Sequence, residues 1–244
     1  VHWDYVLRVK RGRSKPMRNF CIFSFFCYLA LTICSPAVSS LEAAKKNDSQ
    51  DIPAEGPYQE FCFDKTLKVE GTYKNSQKNG EWTYYYCGAD KKVMTKGCYA
   101  NDLKEGQWST YSEYGKLVSR ISYLHDQIHG EKMTCYDDGS PHMIEYYKNG
   151  VKNGKSQEYY PDGNPIEIAW FTDGEKNGQT NLYYEDGKKK AIGFYKMGKK
   201  EGKWTYYSPT GIRESEGLFK DDEKTGVWKM YDEKGKLTGE EKYE

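Results

Sequence analysis

Beyond one apolar run from Phe20 to Ile33, the chain has no long hydrophobic stretch, and only 37% of its 244 residues are hydrophobic. A membrane span needs about 20 apolar residues, so a bundle of membrane helices is excluded, and a thick aliphatic core is too. A large net charge is also missing. The total is +1, and residues 1–39 hold six basic residues (Arg8, Lys10, Arg11, Arg13, Lys15, Arg18) and one acid, Asp4, leaving 31 basic against 35 acidic residues from position 40 on. A mildly acidic body argues against a dedicated nucleic-acid binder. The signatures of catalysis are missing as well: no Ser, Cys or Thr stands in a nucleophile elbow, no glycine loop is built to cradle phosphate, and no unique pair of carboxylates occurs. No enzyme and no cofactor are expected.

Histidine is scarce. Of four in the chain, His125, His129 and His142 fall close together, with Asp126 and Cys135 nearby. A zinc site needs ligands that converge. On strands, the first two histidines lie at one edge of a sheet, and Cys135 and His142 lie toward the other, about 20 Å away at 3.3 Å per residue. No metal site is expected.

Tyrosine and glycine are abundant, at 23 and 24 residues. Gly56, Gly80, Gly106, Gly130, Gly154, Gly178, Gly202 and Gly226 recur every 24 residues, with one interval of 26 after Gly80. Counting from each glycine, the second position carries Tyr58, Trp82, Trp108, Lys132, Ser156, Thr180, Trp204 and Trp228. The fifth is Phe61, Tyr85, Tyr111, Cys135, Tyr159, Tyr183, Tyr207 and Tyr231. A second glycine follows nine residues on in six copies, preceded by aspartate at Asp138, Asp162 and Asp186. Asp-Gly between β-formers is a hairpin signal and suits a tight primed turn. Each copy reads as strand, tight turn, strand, loop. Side chains alternate along a strand, so the second and fifth positions face opposite sides of the sheet. The expected fold is an all-β, elongated, twisted antiparallel sheet of eight tandem hairpins over residues 56–244.

The pattern Asn-Gly-x-Lys-x-Gly-x-Trp-x-x-Tyr-Tyr-x-x-Gly, nearly whole in Asn149 to Gly163 and in Met197 to Gly211, resembles the variant MORN repeat of bacterial proteins, many of them labelled YwqK-type antitoxin components. That resemblance implies a non-enzymatic repeat fold that engages a partner protein or lies at a membrane, and, in some members, neutralisation of a co-encoded toxin. The aromatic hairpin pattern also resembles choline-binding repeats, which keeps open a choline-type or cell-wall glycan ligand.

Ahead of the repeats, residues 1–16 form a basic extension. Residues 17–39 have the basic start, apolar centre and small-residue end of a secretory signal, with an uncleaved anchor as the alternative. Residues 40–55 read as a flexible linker. An exported protein is expected to form disulfides. Of Cys62, Cys87, Cys98 and Cys135, the only pair that the hairpin geometry brings together is Cys62 with Cys87, beside the longer interval; Cys98 and Cys135 are expected as buried thiols. Lys78, Lys104, Lys152, Lys176, Lys200 and Lys224 each stand two residues before a repeat glycine and form a candidate edge for contact with an anionic partner or envelope surface. The run Lys132, Ser156, Thr180, where tryptophan is lost, marks a candidate partner-binding face.

Overall fold

The structure, a computed structural model, describes residues 52–88 and 91–244. The basic extension, the signal segment and linker residues 40–51 lie outside the described residues.

Among the described residues, seventeen strands form one antiparallel sheet. The first copy gives β1 (Glu55–Phe61) and β2 (Leu67–Lys74), the second β3 (Gln77–Tyr85) and β4 (Val93–Ala100), the third β5 (Leu103–Tyr111) and β6 (Leu117–Leu124). The fourth gives β7 (Gln127–Cys135) and β8 (Pro141–Lys148), the fifth β9 (Val151–Tyr159) and β10 (Pro165–Thr172). The sixth has a broken first strand, β11 (Glu175–Lys176) and β12 (Gly178–Tyr183), then β13 (Lys189–Lys196). The seventh gives β14 (Lys199–Tyr207) and β15 (Arg213–Lys220), and the eighth β16 (Glu223–Tyr231) and β17 (Leu237–Tyr243). Strands pair with their neighbours in sequence, within a hairpin (Trp82 opposite Gly97) and between hairpins (Val69 opposite Tyr84) alike. The array is an elongated, twisted, all-β meander of tandem hairpins.

Its two kinds of connection are the reverse of the sequence expectation. Copies are joined by two-residue turns in which both residues have positive φ: Asn75–Ser76, Asn101–Asp102, His125–Asp126, Asn149–Gly150, Asp173–Gly174, Met197–Gly198 and Asp221–Asp222. These are the primed turns, whose twist matches that of the flanking strands. Inside a copy the Asp-Gly dipeptide closes a wider turn. Gly139 has a φ of 90° while Asp138 stays outside the left-handed region, and the Gly139 amide donates to the Tyr136 carbonyl at 2.9 Å. That is a type I turn ended by a left-handed glycine. The aspartate favours it because its carboxylate accepts the Ser140 amide at 2.8 Å, holding the turn open from within.

Each hairpin slips register at its fifth position, as between Tyr84 and Tyr85, and the ladder between copies slips again beside the outgoing strand's glycine position, as between Glu70 and Thr72. Bulges increase local twist and bend the strand that carries them. With two in most copies, one face closes over its own side chains and the other stays open.

Neighbouring copies are also fastened at both edges. The Asp102 amide donates to the Lys78 carbonyl at 3.0 Å while the Asp102 carboxylate accepts the Lys78 amide at 2.7 Å. The same clasp joins Asp126 to Lys104 and Asp222 to Lys200. At the opposite edge the hydroxyls of Tyr86 and Tyr184 donate to the next copy's carbonyls at Tyr111 and Tyr207, at 2.8 and 2.7 Å.

Candidate functional site

On the closed face, each indole lies on a glycine of the preceding copy. Trp82 covers Gly71, Trp108 Gly97, Trp204 Gly193 and Trp228 Gly217, and a Cβ at any of these glycines would come within 2.6 Å of three indole atoms. The indole N–H donates to the carbonyl after the glycine, at Thr72, Cys98, Phe194 and Leu218, over 3.0–3.2 Å. Tyr73 and Tyr99 meet Trp82 edge-on. Trp82 and Trp204 are 1% exposed, so this face is the core of the protein.

The middle of the row follows the same logic with different residues. Where the glycine position holds Ile121, Glu145 or Ala169, the next copy has Lys132, Ser156 or Thr180 instead of tryptophan. A flat glycine and a slab-like indole therefore come and go together. Ile121 pairs with Lys132, and Glu145 with Ser156, in the ladders between copies. Glu145 is buried, with Lys152 Nζ at 2.8 Å, Lys132 Nζ at 3.4 Å and the Tyr147 hydroxyl donating at 3.1 Å. Burial alone would raise its carboxyl pKa, but the hydrogen bond from Lys152 and the charges of Lys152 and Lys132 outweigh this and hold it below the ordinary value.

Ser156 and Thr180 are 8% and 1% exposed, and Lys132 is half-buried in its ion pair with Glu145. The break in the tryptophan row thus lies inside the closed face, where a partner cannot reach Ser156 or Thr180. The reason is the coiling of the sheet, which the repeat pattern alone does not show.

The six ladder lysines also turn inward. Lys78 Nζ sits 4.7 Å from the Trp82 ring centre and 5.1 Å from that of Tyr99, and Lys104 and Lys200 lie 4.7 Å from Trp108 and Trp204. Lys224 is 4.4 Å from Trp228, Lys152 3.8 Å from Phe171 and Lys176 5.3 Å from Tyr195. Attraction of an ammonium to a ring face is strongest where water is excluded. These charges cap the aromatic stack, five of them half-buried and Lys224 exposed.

The open face carries the exposed apolar surface. Tyr146, Trp170, Phe194, Leu218 and Val227 are each between 38% and 48% exposed. Trp170 follows Ala169, which is fully buried on the closed face, so alternation points the indole the other way. Across the hairpins Tyr146 pairs with Glu131, Trp170 with Lys155, Phe194 with Gln179 and Leu218 with Lys203. Half-buried Ile144, Ile168 and Ile192 stand two residues before the three rings, on the same face. The equivalents of the rings in the first three copies are Thr72, Cys98 and Ser122, so this column is apolar only in the later copies, although Leu103, Val118 and Leu124 are also exposed earlier in the array. Sequence reasoning missed this row. Its signal was a second column of period 24, one residue before the closing aromatics, that turns from polar to aromatic at Tyr146.

Elsewhere, Cys62 and Cys87 are joined in a disulfide with Cα atoms 5.8 Å apart, tying the first two hairpin tips together. Cys98 and Cys135 take no part in it and are half-buried, more open than the sequence suggests. His125 sits in a junction turn with its amide donating to Glu105, His129 meets Asn149 and His142 meets Glu158. Among the described residues no three His, Cys, Asp or Glu side chains converge. The array has the build of a tandem β-hairpin repeat scaffold.

No curated protein matches the chain. Four segments, residues 152–171, 176–197, 200–221 and 224–244, match the family described as MORN repeat variant. Each is one copy of the hairpin unit, and together they coincide with the half of the array that displays most of the exposed row.

Proposed function

We propose that the chain is a non-catalytic, exported scaffold that holds a partner protein against the open face of its sheet. One observation carries this reading: Tyr146, Trp170, Phe194, Leu218 and Val227 are large apolar side chains exposed on one face, the first four at matching positions of successive copies, although the same sheet buries its aromatic side chains on its other face. Contiguous apolar patches on soluble proteins mark interaction sites, and tyrosine and tryptophan are enriched where binding energy concentrates. Export is supported by the Cys62–Cys87 disulfide, because such bonds persist in oxidising compartments, and by the signal-like residues 17–39. A choline-type ligand is disfavoured because the ring faces of the closed side already hold the chain's own ammonium groups. Toxin neutralisation in the YwqK manner requires a cytoplasmic protein, and a mature amino terminus near Ser40 in an exported fraction would rule it out.

The test is cross-linking mass spectrometry on intact cells, comparing the natural chain with Trp170→Ser/Phe194→Ser. Both side chains are exposed, so the fold is expected to survive, and this is checked by circular dichroism. Loss of cross-links to the partner supports the reading. Unchanged cross-links to that partner would refute it.

A further inference from the structure

The exposed row is bordered by a second row of opposite character. Two residues beyond Tyr146, Phe194 and Leu218, on the same strand and the same face, stand Lys148, Lys196 and Lys220, with Thr172 in the corresponding place after Trp170. On the other side of the indole, Lys155 pairs directly with Trp170. Among the described residues, Lys148, Lys155, Lys196 and Lys220 have no ion pair and no side-chain hydrogen bond. They differ in this from the lysines of the closed face, which are committed to rings and to Glu145.

Most acids around the patch are already neutralised. Glu131 is paired with Arg120 and accepts from the Tyr146 hydroxyl; Glu216 is paired with Lys203 and Arg213. Glu175, Glu201 and Glu223, at the copy junctions, are in no ion pair; Glu201 stands opposite Phe194 and Glu223 opposite Lys220. The patch therefore sets apolar side chains on alternate strands among four unpaired lysines, which outnumber the three junction acids, in a body whose net charge from position 40 on is slightly negative.

We infer that this face docks an acidic segment of the partner protein, with apolar side chains on the row Tyr146–Trp170–Phe194–Leu218 and carboxylates on Lys148, Lys155, Lys196 and Lys220. The inference rests on the protein-partner reading above and adds the chemistry of the partner. Charge complementarity carries it: unpaired cations beside an apolar row favour an acidic occupant and repel a second copy that brings the same border. Spacing adds a constraint. Successive rings stand two strands apart, about 10 Å. A helix laid along the sheet returns an apolar residue every seven positions, again about 10 Å, whereas a strand repeats a face about every 6.6 Å.

The experiment selects a random peptide display library on the full chain, on Trp170→Ser/Phe194→Ser, and on Lys148→Glu/Lys155→Glu/Lys196→Glu/Lys220→Glu, with folding of each checked by circular dichroism. Selected peptides are titrated against all three proteins by isothermal titration calorimetry. The inference is supported if peptides enriched on the natural chain are acidic and apolar, lose about tenfold or more in affinity on the charge-reversed chain, and weaken as salt rises from about 50 to about 300 mM. Neutral or basic peptides, or charge reversal that changes affinity less than about twofold, would overturn it while the ring variant's loss of binding still upholds the open face. Binding unaffected by loss of the rings, or no enrichment at all, would overturn both. Calorimetric binding of phosphatidylglycerol vesicles or oligothymidylate, and not of peptides, would replace the protein partner by a different anionic surface.

Discussion

The indole of Trp204 lies flat on Gly193, and a β-carbon at that glycine would meet the ring before it met anything else. The same chain shows the alternative solution one copy earlier, where Ala169 and Thr180 fill these two positions. Gly193→Ala alone is expected to cost about 2–3 kcal/mol as an overpacked site, and Trp204→Thr alone about 3 kcal/mol or more as a large-to-small change in the core. The double variant should lose clearly less than the sum, because the alanine then occupies space that the indole has vacated. Urea denaturation of the four proteins measures this, and strict additivity would show that the pairing is coincidental.

Met197 occupies the first place of a primed turn with a φ of 47° and is 67% exposed. A non-glycine side chain there is strained by roughly 1 kcal/mol, whereas asparagine tolerates it. Met197→Asn is expected to raise stability by about 0.5–1 kcal/mol and leave the sheet unchanged, which thermal denaturation would detect.

The hydroxyl of Thr180 is buried with no hydrogen-bond partner. Replacing it by a methyl of the same shape removes an uncompensated polar group, so Thr180→Val should stabilise the protein by about 1 kcal/mol. A loss of stability would mean that the hydroxyl finds a partner in solution.

Two carboxylates tie stability to acid pH. Glu145 titrates below its ordinary value for the reasons given above, and Glu216 is lowered from 4.5 to about 2, chiefly by the hydrogen bond from Lys203, against the opposing effect of burial and with help from Tyr231 and Arg213. A carboxyl whose folded pKa is depressed contributes its stability in full above the unfolded value and loses it as pH falls through the folded one. For Glu216 that window runs from about 4.5 down to about 2. Glu145→Gln and Glu216→Gln should therefore each flatten the decline of melting temperature between neutral and acid pH. An unchanged acid limb in both would count against these ion pairs.

The period of 24 and the aromatic positions were enough to read the hairpin meander, because side-chain alternation and glycine spacing are local properties. Turn type was not, since Asn, Asp and Gly occur at both edges and only the register decides which pair of residues goes left-handed. Nor was the choice of buried face. Ser156 and Thr180 are polar and break a tryptophan row, which in sequence looks like a surface opening, yet the bulges close that face over them. The ladder lysines mislead in the same way: charge suggests solvent, while the rings beside Lys78 and Lys200 draw the ammonium inward. Trp170 and Phe194 were hidden by standing next to the regular closing aromatics Phe171 and Tyr195, so that two rows facing opposite ways looked like one.

The meander also has a mechanical meaning. Apart from β12, which reaches past the two-residue β11 to β10, the strands bond only to their neighbours in the chain, so tension applied at the two ends of the array is borne in series and opens one ladder at a time. Each released copy adds about 70 Å of slack, given about 3.4 Å for each of its 24 residues less the roughly 10 Å that two strands already span. Pulled from its ends, such a body pays out length in near-equal increments, with a shorter first yield where the Cys62–Cys87 bond shortcuts the path. An extensible tether of this kind would keep hold of what it binds while its anchorage moves, and single-molecule extension traces would show whether the steps are there.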